Sequence, residues 1–201
     1  MKTDGTREKT AVTSGKPAKK SKLITEIYEW LDSLTVAFIT VVLLMTFIFR
    51  VVSVDGASMM DTLKDEDKVI LTQLFYTPKQ GDIVVLLTDR NFAAEMSDVN
   101  RPLIKRVIAV EDQHVDIDFD SGVVYVDGVA LTEPYAKEPV RVRGTLSFPQ
   151  IVPKGHVFVL GDNRNNSLDS RFQEVGMVDN RYVLGHAMFR VFPLDSIGGL
   201  D

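Results

Sequence analysis

The sequence predicts a mostly β domain, built of antiparallel sheets and hairpins, behind one N-terminal transmembrane helix. Three observations carry this prediction. An uncharged apolar run, LTVAFITVVLLMTFIF, extends from Leu34 to Phe49. Beyond it, short β-branched runs recur between Gly, Pro and Asp, and before it the chain is polar and rich in lysine.

The opening MKTDGTREKTAVTSGKPAKKSK has almost no large apolar side chain and cannot bury enough surface to fold. Residues 1–30 therefore read as a basic, disordered tail. Counting the apolar run past Arg50 to Val52 gives about 19 residues, or roughly 28 Å of helix, enough to cross a bilayer with Arg50 reaching outward. This places a transmembrane helix at 31–52. A buried core helix would show a polar stripe every 3.6 residues, whereas this run is apolar all round. A cleaved secretory signal, suggested loosely by Val51-x-Ser53, fits poorly with the long polar leader. Lys16, Lys19, Lys20 and Lys22 precede the run and an acid-rich 55–67 follows it, so the N-terminus is expected in the cytoplasm and 53–201 outside the cell membrane.

In 53–201 the strand candidates are DIVVLL (82–87), LIKRVIAV (103–110), HVDIDF (114–119), VVYVDG (123–128) and HVFVL (156–160). Alternation in HVDIDF and the Asp127-Gly128 turn signal favour hairpins. The stretch TDRNFAAEMSDVNRP (88–102) reads as a polar excursion between two strands.

Composition narrows the chemistry. A net charge of -5 argues against nucleic acid as the partner. The absence of cysteine removes thiol nucleophiles, disulfides and thiolate metal sites. The three histidines, His114, His156 and His186, stand in no metal-ligand spacing, so neither a metal nor any other cofactor is expected.

Three segments remain. Asp55-Gly-Ala-Ser58-Met-Met-Asp61-Thr62-Leu63 sets a serine among small residues just after the apolar run, though a turn serine capping a short helix would look the same. Lys105 and Arg106 sit inside an otherwise apolar strand, where alternation groups Lys105 with Val107 and Ala109, and Arg106 with Ile104 and Ile108. One cation must face the interior or a cleft, unless the strand lies at an edge and both reach solvent. Gly161-Asp162-Asn163-Arg164-Asn165-Asn166-Ser167-Leu168-Asp169-Ser170-Arg171 is dense in hydrogen-bonding side chains, as either a surface loop or a rigid, self-bonded support would be.

Together, and in this order, these segments resemble the type I signal peptidases of the S26 Ser/Lys class. Ser58-Met59-x-x-Thr62-Leu63 is similar to the family's Ser-Met-x-Pro-Thr-Leu box, Gly81-Asp82-Ile83-Val84-Val85 to its Gly-Asp box, Lys105-Arg106-Val107-Ile108-Ala109 to its Lys-Arg box, and 161–171 to its Gly-Asp-Asn-Arg-x-Asn-Ser-x-Asp-Ser-Arg box. The single span and compact size are similar to the Gram-positive branch. The resemblance implies a membrane-bound serine endopeptidase that removes signal peptides from exported preproteins, with the lipid bilayer as its second partner. It implies Ser58 as nucleophile, Lys105 as general base and Ser167 as a hydrogen-bond partner of Lys105. Asp162, Asp169 and Arg171 would support these, and the backbone N–H of Ser58 would serve the oxyanion. A lysine can be a base only when neutral, which its apolar neighbours on the strand favour.

Two departures stand out. Asp61 replaces the family's usual proline, and Gly56 occupies a position where one branch carries an oxyanion-donating serine. The substrate is expected extended along a strand edge, its small side chains in shallow pockets. A catalytically silent tethered binding protein on the same scaffold and a self-cleaving Ser/Lys repressor are the rival classes. The first lacks a reason to keep both dyad residues, and the second a reason for the apolar run.

Overall fold

The computed structural model describes residues 19–74, 76–87 and 102–200. The start of the expected tail, 1–18, and nearly all of the polar excursion at 88–102 lie outside the described residues. The chain divides into two compact units, Met1–Leu44 and Met45–Asp201.

The helix α1 runs over Lys19–Ile48. It differs from the expectation at both ends. Residues 19–30, assigned to a disordered tail, are helical, because Leu23, Ile24, Ile27, Tyr28 and Leu31 recur at helical spacing with Glu26 and Glu29 between them. At the other end the helix stops at Ile48, and residues 49–52, counted into the span, belong to a strand. There Arg50, Val51 and Val52 find a partner strand, which a β-branched pair uses better than a further helical turn. Among the described residues no helix is long and apolar enough to cross a membrane.

The strands follow in chain order: β1 (Phe49–Ser53), β2 (Lys68–Thr72), β3 (Ile83–Leu86), β4 (Leu103–Val110), β5 (His114–Asp118), β6 (Val123–Val126), β7 (Val129–Ala130), β8 (Gln150–Ile151), β9 (His156–Leu160), β10 (Val178–Asp179), β11 (Val183–Phe192) and β12 (Gly198–Gly199). They form a larger sheet in the order β1-β2-β11-β3-β4-β9-β10, with β12 on β11, and a smaller one in the order β7-β6-β5-β8. Every pairing is antiparallel, as the hairpin signals predict. Asp127 (φ 52°) and Gly128 (φ 79°) turn β6 into β7, both in the left-handed region that a tight hairpin needs.

Three apolar clusters hold the domain. One packs Met59 and Leu63 against Val69, Leu71, Ile83, Val85 and Ile104, which pins the segment after β1 onto the larger sheet. A second joins the sheets, with Val115, Ile117, Val124 and Val126 of the smaller one meeting Ile108, Phe158 and Leu160 of the larger. The third gathers Val84, Leu86, Val107 and Val159. Each such side chain contributes about 1.5–3 kcal/mol by leaving water.

β4 is the strand that matters for the site. It lies inside the sheet between β3 and β9, so its side chains from Ile104 to Ala109 are all buried. The edge-strand alternative for its two cations is therefore excluded. The predicted alternation holds only in part: a bulge between Val107 and Ala109 places Ala109 in the same cluster as Ile108. Arg106 pairs with Leu160, so the chain leaving β9 at Gly161 passes directly beside Lys105.

Candidate active site

Ser58 lies in the segment between β1 and β2. Val54 N–H donates to Asp67 O, Glu66 N–H to Val54 O and Gly56 N–H to the Asp65 carboxylate, which closes this segment into a rigid loop. A single helical turn, Leu63 N–H to Met59 O at 2.8 Å, sets Met59 and Leu63 into the core. Ser58 is left half-buried at the rim. Among the described residues its hydroxyl caps no backbone group; Oγ lies 2.7 Å from Lys105 Nζ, which decides against the capping-serine alternative. Its backbone N–H makes no hydrogen bond among the described residues. Gly56 has φ +91°, a conformation a serine there would adopt only with strain. Asp61 is exposed, turned to solvent rather than to the site.

Lys105 is 2% exposed, and its amine meets Ser58 Oγ and, at 3.1 Å, the carbonyl of Ile104. Burial strips water from the ammonium and lowers its pKa from 10.5 to about 8, against the upward pull of the Asp169 and Asp162 carboxylates; Arg171 adds to the lowering. Desolvation wins because each carboxylate is already matched by an arginine.

Asp162 is fully buried, accepting from Arg106 Nε at 2.9 Å, from the second Arg106 nitrogen at 2.8 Å and from Thr62 Oγ1 at 2.5 Å. Arg106 also donates to Gly81 O at 2.8 Å and lies 3.9 Å under the Tyr135 ring. The glycine-aspartate segment just before β3 is thus tied to the lysine strand. Asp169 holds Arg171 in a two-point pair at 2.8 and 2.9 Å and accepts from Gly161 N–H at 3.1 Å. Arg171 spends its remaining donors on the carbonyls of Val142 and Arg164. Arg164 pairs with Glu133 at 2.7 and 2.8 Å and donates to Gly161 O. The run 161–171 is therefore a rigid, self-bonded support rather than a loose surface loop.

One expected contact is not formed. Ser167 Oγ is buried but has no hydrogen-bond partner among the described residues, and Lys105 directs its amine to Ser58 and Ile104 instead. Ser167 nonetheless packs at the site. A Cβ on Gly161 would overlap both the Ser167 side chain and Ser58 O, so only glycine permits this approach.

The structure thus gathers Ser58, Lys105, Ser167, Asp162, Asp169 and Arg171 around the start of the 161–171 segment. It adds contacts that no local spacing in the sequence encodes. Asn163 bonds the carbonyls of both Ala57 and Ser58, and Glu133 and Tyr135 come from a segment without a motif. No group of side chains among the described residues is arranged to hold a metal ion.

An antiparallel β domain that sets a serine hydroxyl against a desolvated lysine has the make-up of a serine peptidase. The family described as signal peptidase, peptidase S26, matches residues 27–192, and the chain belongs to it. The chain is similar to probable signal peptidase I-1 of Synechocystis sp., at 36% identity over 87% of each chain. It is 32% identical to signal peptidase I of Bacillus licheniformis over 87% of this chain and 94% of that one. It is 31% identical to signal peptidase IB of Staphylococcus aureus over 85% of this chain and 92% of the other. The protein is a serine endopeptidase of the signal peptidase type, and its reaction is the removal of signal peptides.

The buried pairs carry a stability prediction. Asp169→Ala leaves Arg171 charged, buried and unmatched, and should lower the unfolding free energy by about 3–5 kcal/mol in denaturant titration. Arg181→Ala, which breaks the exposed pair with Asp179 while leaving the Asp179 carboxylate on the Arg181 backbone N–H, should leave the midpoint almost unmoved. Equal effects of the two substitutions would refute this account of the support.

Proposed function

We propose that Ser58 and Lys105 form the catalytic dyad of this peptidase, with no cofactor. The observation that carries the proposal is the 2.7 Å contact between Ser58 Oγ and the buried Lys105 amine. Lysine takes the place that histidine holds in most serine peptidases. Ser58 Oγ attacks the scissile carbonyl carbon while Lys105 Nζ accepts the hydroxyl proton. The oxyanion that forms faces the Ser58 N–H. Collapse breaks the C–N bond, and the Lys105 ammonium returns the proton to the leaving amine. Water then attacks the acyl-enzyme, giving its proton to Lys105, and Ser58 recovers a proton as the new carboxyl terminus departs. Ser167 supports the dyad by packing, and Asp162, Asp169 and Arg171 support it by fixing the 161–171 segment.

At neutral pH roughly a tenth of molecules would hold Lys105 neutral, given a pKa of about 8. The cleaving fraction therefore grows with pH. We further place α1 in the cell membrane, with the N-terminus in the cytoplasm, residues 53–201 outside and the preprotein approaching along the bilayer. Support comes from the uncharged sequence 34–49, from the exposure of Leu34, Val36, Phe38, Ile39, Val41, Val42 and Leu43, and from Thr35 and Thr40, whose hydroxyls donate back to Leu31 O and Val36 O within the helix.

Two tests follow from this proposal. The kcat/KM of detergent-solubilised enzyme on a preprotein should rise with pH through an apparent pKa of about 8. Ser58→Ala, Lys105→Ala and Lys105→Arg should each lose activity on the order of 10³-fold or more, since a guanidinium stays protonated at any usable pH. Near-normal turnover of Lys105→Arg would end the dyad assignment. For the topology, protease added to intact spheroplasts should digest residues 53–201, whereas full protection of that domain until lysis would reverse the proposed orientation.

A further inference from the structure

Asn163 is 4% exposed, and it bonds the carbonyl of the peptide unit that carries the Ser58 N–H as well as the carbonyl of the next unit. Its side-chain Nδ2 donates to Ala57 O at 3.0 Å, and its backbone N–H donates to Ser58 O at 3.0 Å. Ala57 O also accepts from Met60 N–H at 3.2 Å. The carbonyl of Ala57 and the N–H of Ser58 belong to one planar trans amide and point in opposite directions. Fixing the carbonyl on one side therefore fixes the direction of the N–H on the other. That N–H has no partner among the described residues, although neighbouring backbone groups of the same loop are bonded, as at Gly56 and Met60. A donor bound to the carbonyl also polarises the amide and strengthens what its N–H can donate.

We infer that Asn163 is the positioning residue of the oxyanion site: by holding the carbonyls of Ala57 and Ser58 it aims the Ser58 N–H at the oxygen of the tetrahedral intermediate. The inference rests on the dyad proposal. Asn163 makes no hydrogen bond to the Lys105 amine, whose partners are Ser58 Oγ and Ile104 O, and its effect is confined to the state in which negative charge has developed. Gly56 has no side chain to donate to that oxygen, so the backbone N–H and its orientation carry more of the task here.

The test uses the full chain in detergent and a peptide spanning a signal-peptide cleavage site, with Asn163→Ala and the near-isosteric Asn163→Leu. Both variants should lose roughly 10–100-fold in kcat with KM within about twofold of the parent. The apparent pKa of the pH-rate profile should stay at the parent's value. Inhibition by the matching peptide aldehyde, which adds to Ser58 as a tetrahedral hemiacetal, should weaken by the same factor as kcat. A kcat within twofold of the parent, a loss confined to KM or a displaced pH profile would overturn the inference. Ser58→Ala and Lys105→Arg run alongside: turnover in either would sink the dyad itself, whereas normal Asn163 variants beside an inactive Ser58→Ala would sink this inference alone. Should both Asn163 variants fail to fold, hydrogen exchange of the Ser58 amide in the unmodified protein decides. It should exchange freely without inhibitor and become protected in the aldehyde complex, and an amide already protected without inhibitor would contradict its being aimed at an open site.

Discussion

The 2.7 Å contact between Lys105 Nζ and Ser58 Oγ can transfer a proton only if the lysine is uncharged, and an uncharged lysine near neutral pH has to be made by its surroundings. Moving the pKa from 10.5 to about 8 costs the folded state on the order of 3 kcal/mol while the amine is protonated. The sign is that of a base with a lowered pKa. The penalty is present in full below about pH 8 and is relieved as pH rises from there to the unfolded value. The apolar clusters on either side of β4 supply the stability that tolerates this cost. They do so because β4 is an interior strand whose side chains are buried from Ile104 to Ala109.

The same requirement explains the ion pairs. Asp162 and Asp169 are close enough to pull the lysine's pKa upward, and an unmatched carboxylate at either position would restore the ammonium. Each is instead held by a guanidinium at two points, Asp162 by Arg106 and Asp169 by Arg171. The carboxylates are kept because they organise backbone: Asp169 holds Gly161 N–H, and Asp162 ties Thr62 of the nucleophile loop to β4. Arginine suits this task better than lysine because its planar fork makes two parallel bonds and keeps its charge when buried. The support is therefore rigid and, pair by pair, electrically neutral around the one group that must give up its charge.

Much of this was legible in the sequence. The five strand candidates correspond to β3, β4, β5, β6 and β9 because their apolar residues are dense or alternate cleanly. β2 and β11 were not anticipated. β2 is a short run set among acidic residues, and β11 mixes Gly185, His186 and Arg190 with apolar positions, its pairing register broken by bulges that blur the period of two. The clustering of Ser58, Lys105 and 161–171 followed from motif order, since those boxes stand together in one pattern. The Asn163 clamp and the Glu133–Arg164 pair were hidden because they join residues far apart in sequence, and no local spacing encodes such contacts. The start of the helix was misplaced because the lysines of 19–22 resemble the tail before them more than the amphipathic turns after them.

The central claim is that burial above all makes Lys105 a base, and the most direct measurement is an NMR titration of its side-chain ε-methylene and Nζ resonances in the uninhibited protein, assigned by comparison with Lys105→Arg. The account predicts a midpoint of about 8, well separated from the other lysines. A midpoint near the ordinary 10.5 would mean that the amine keeps its proton through the working range and would contradict the account.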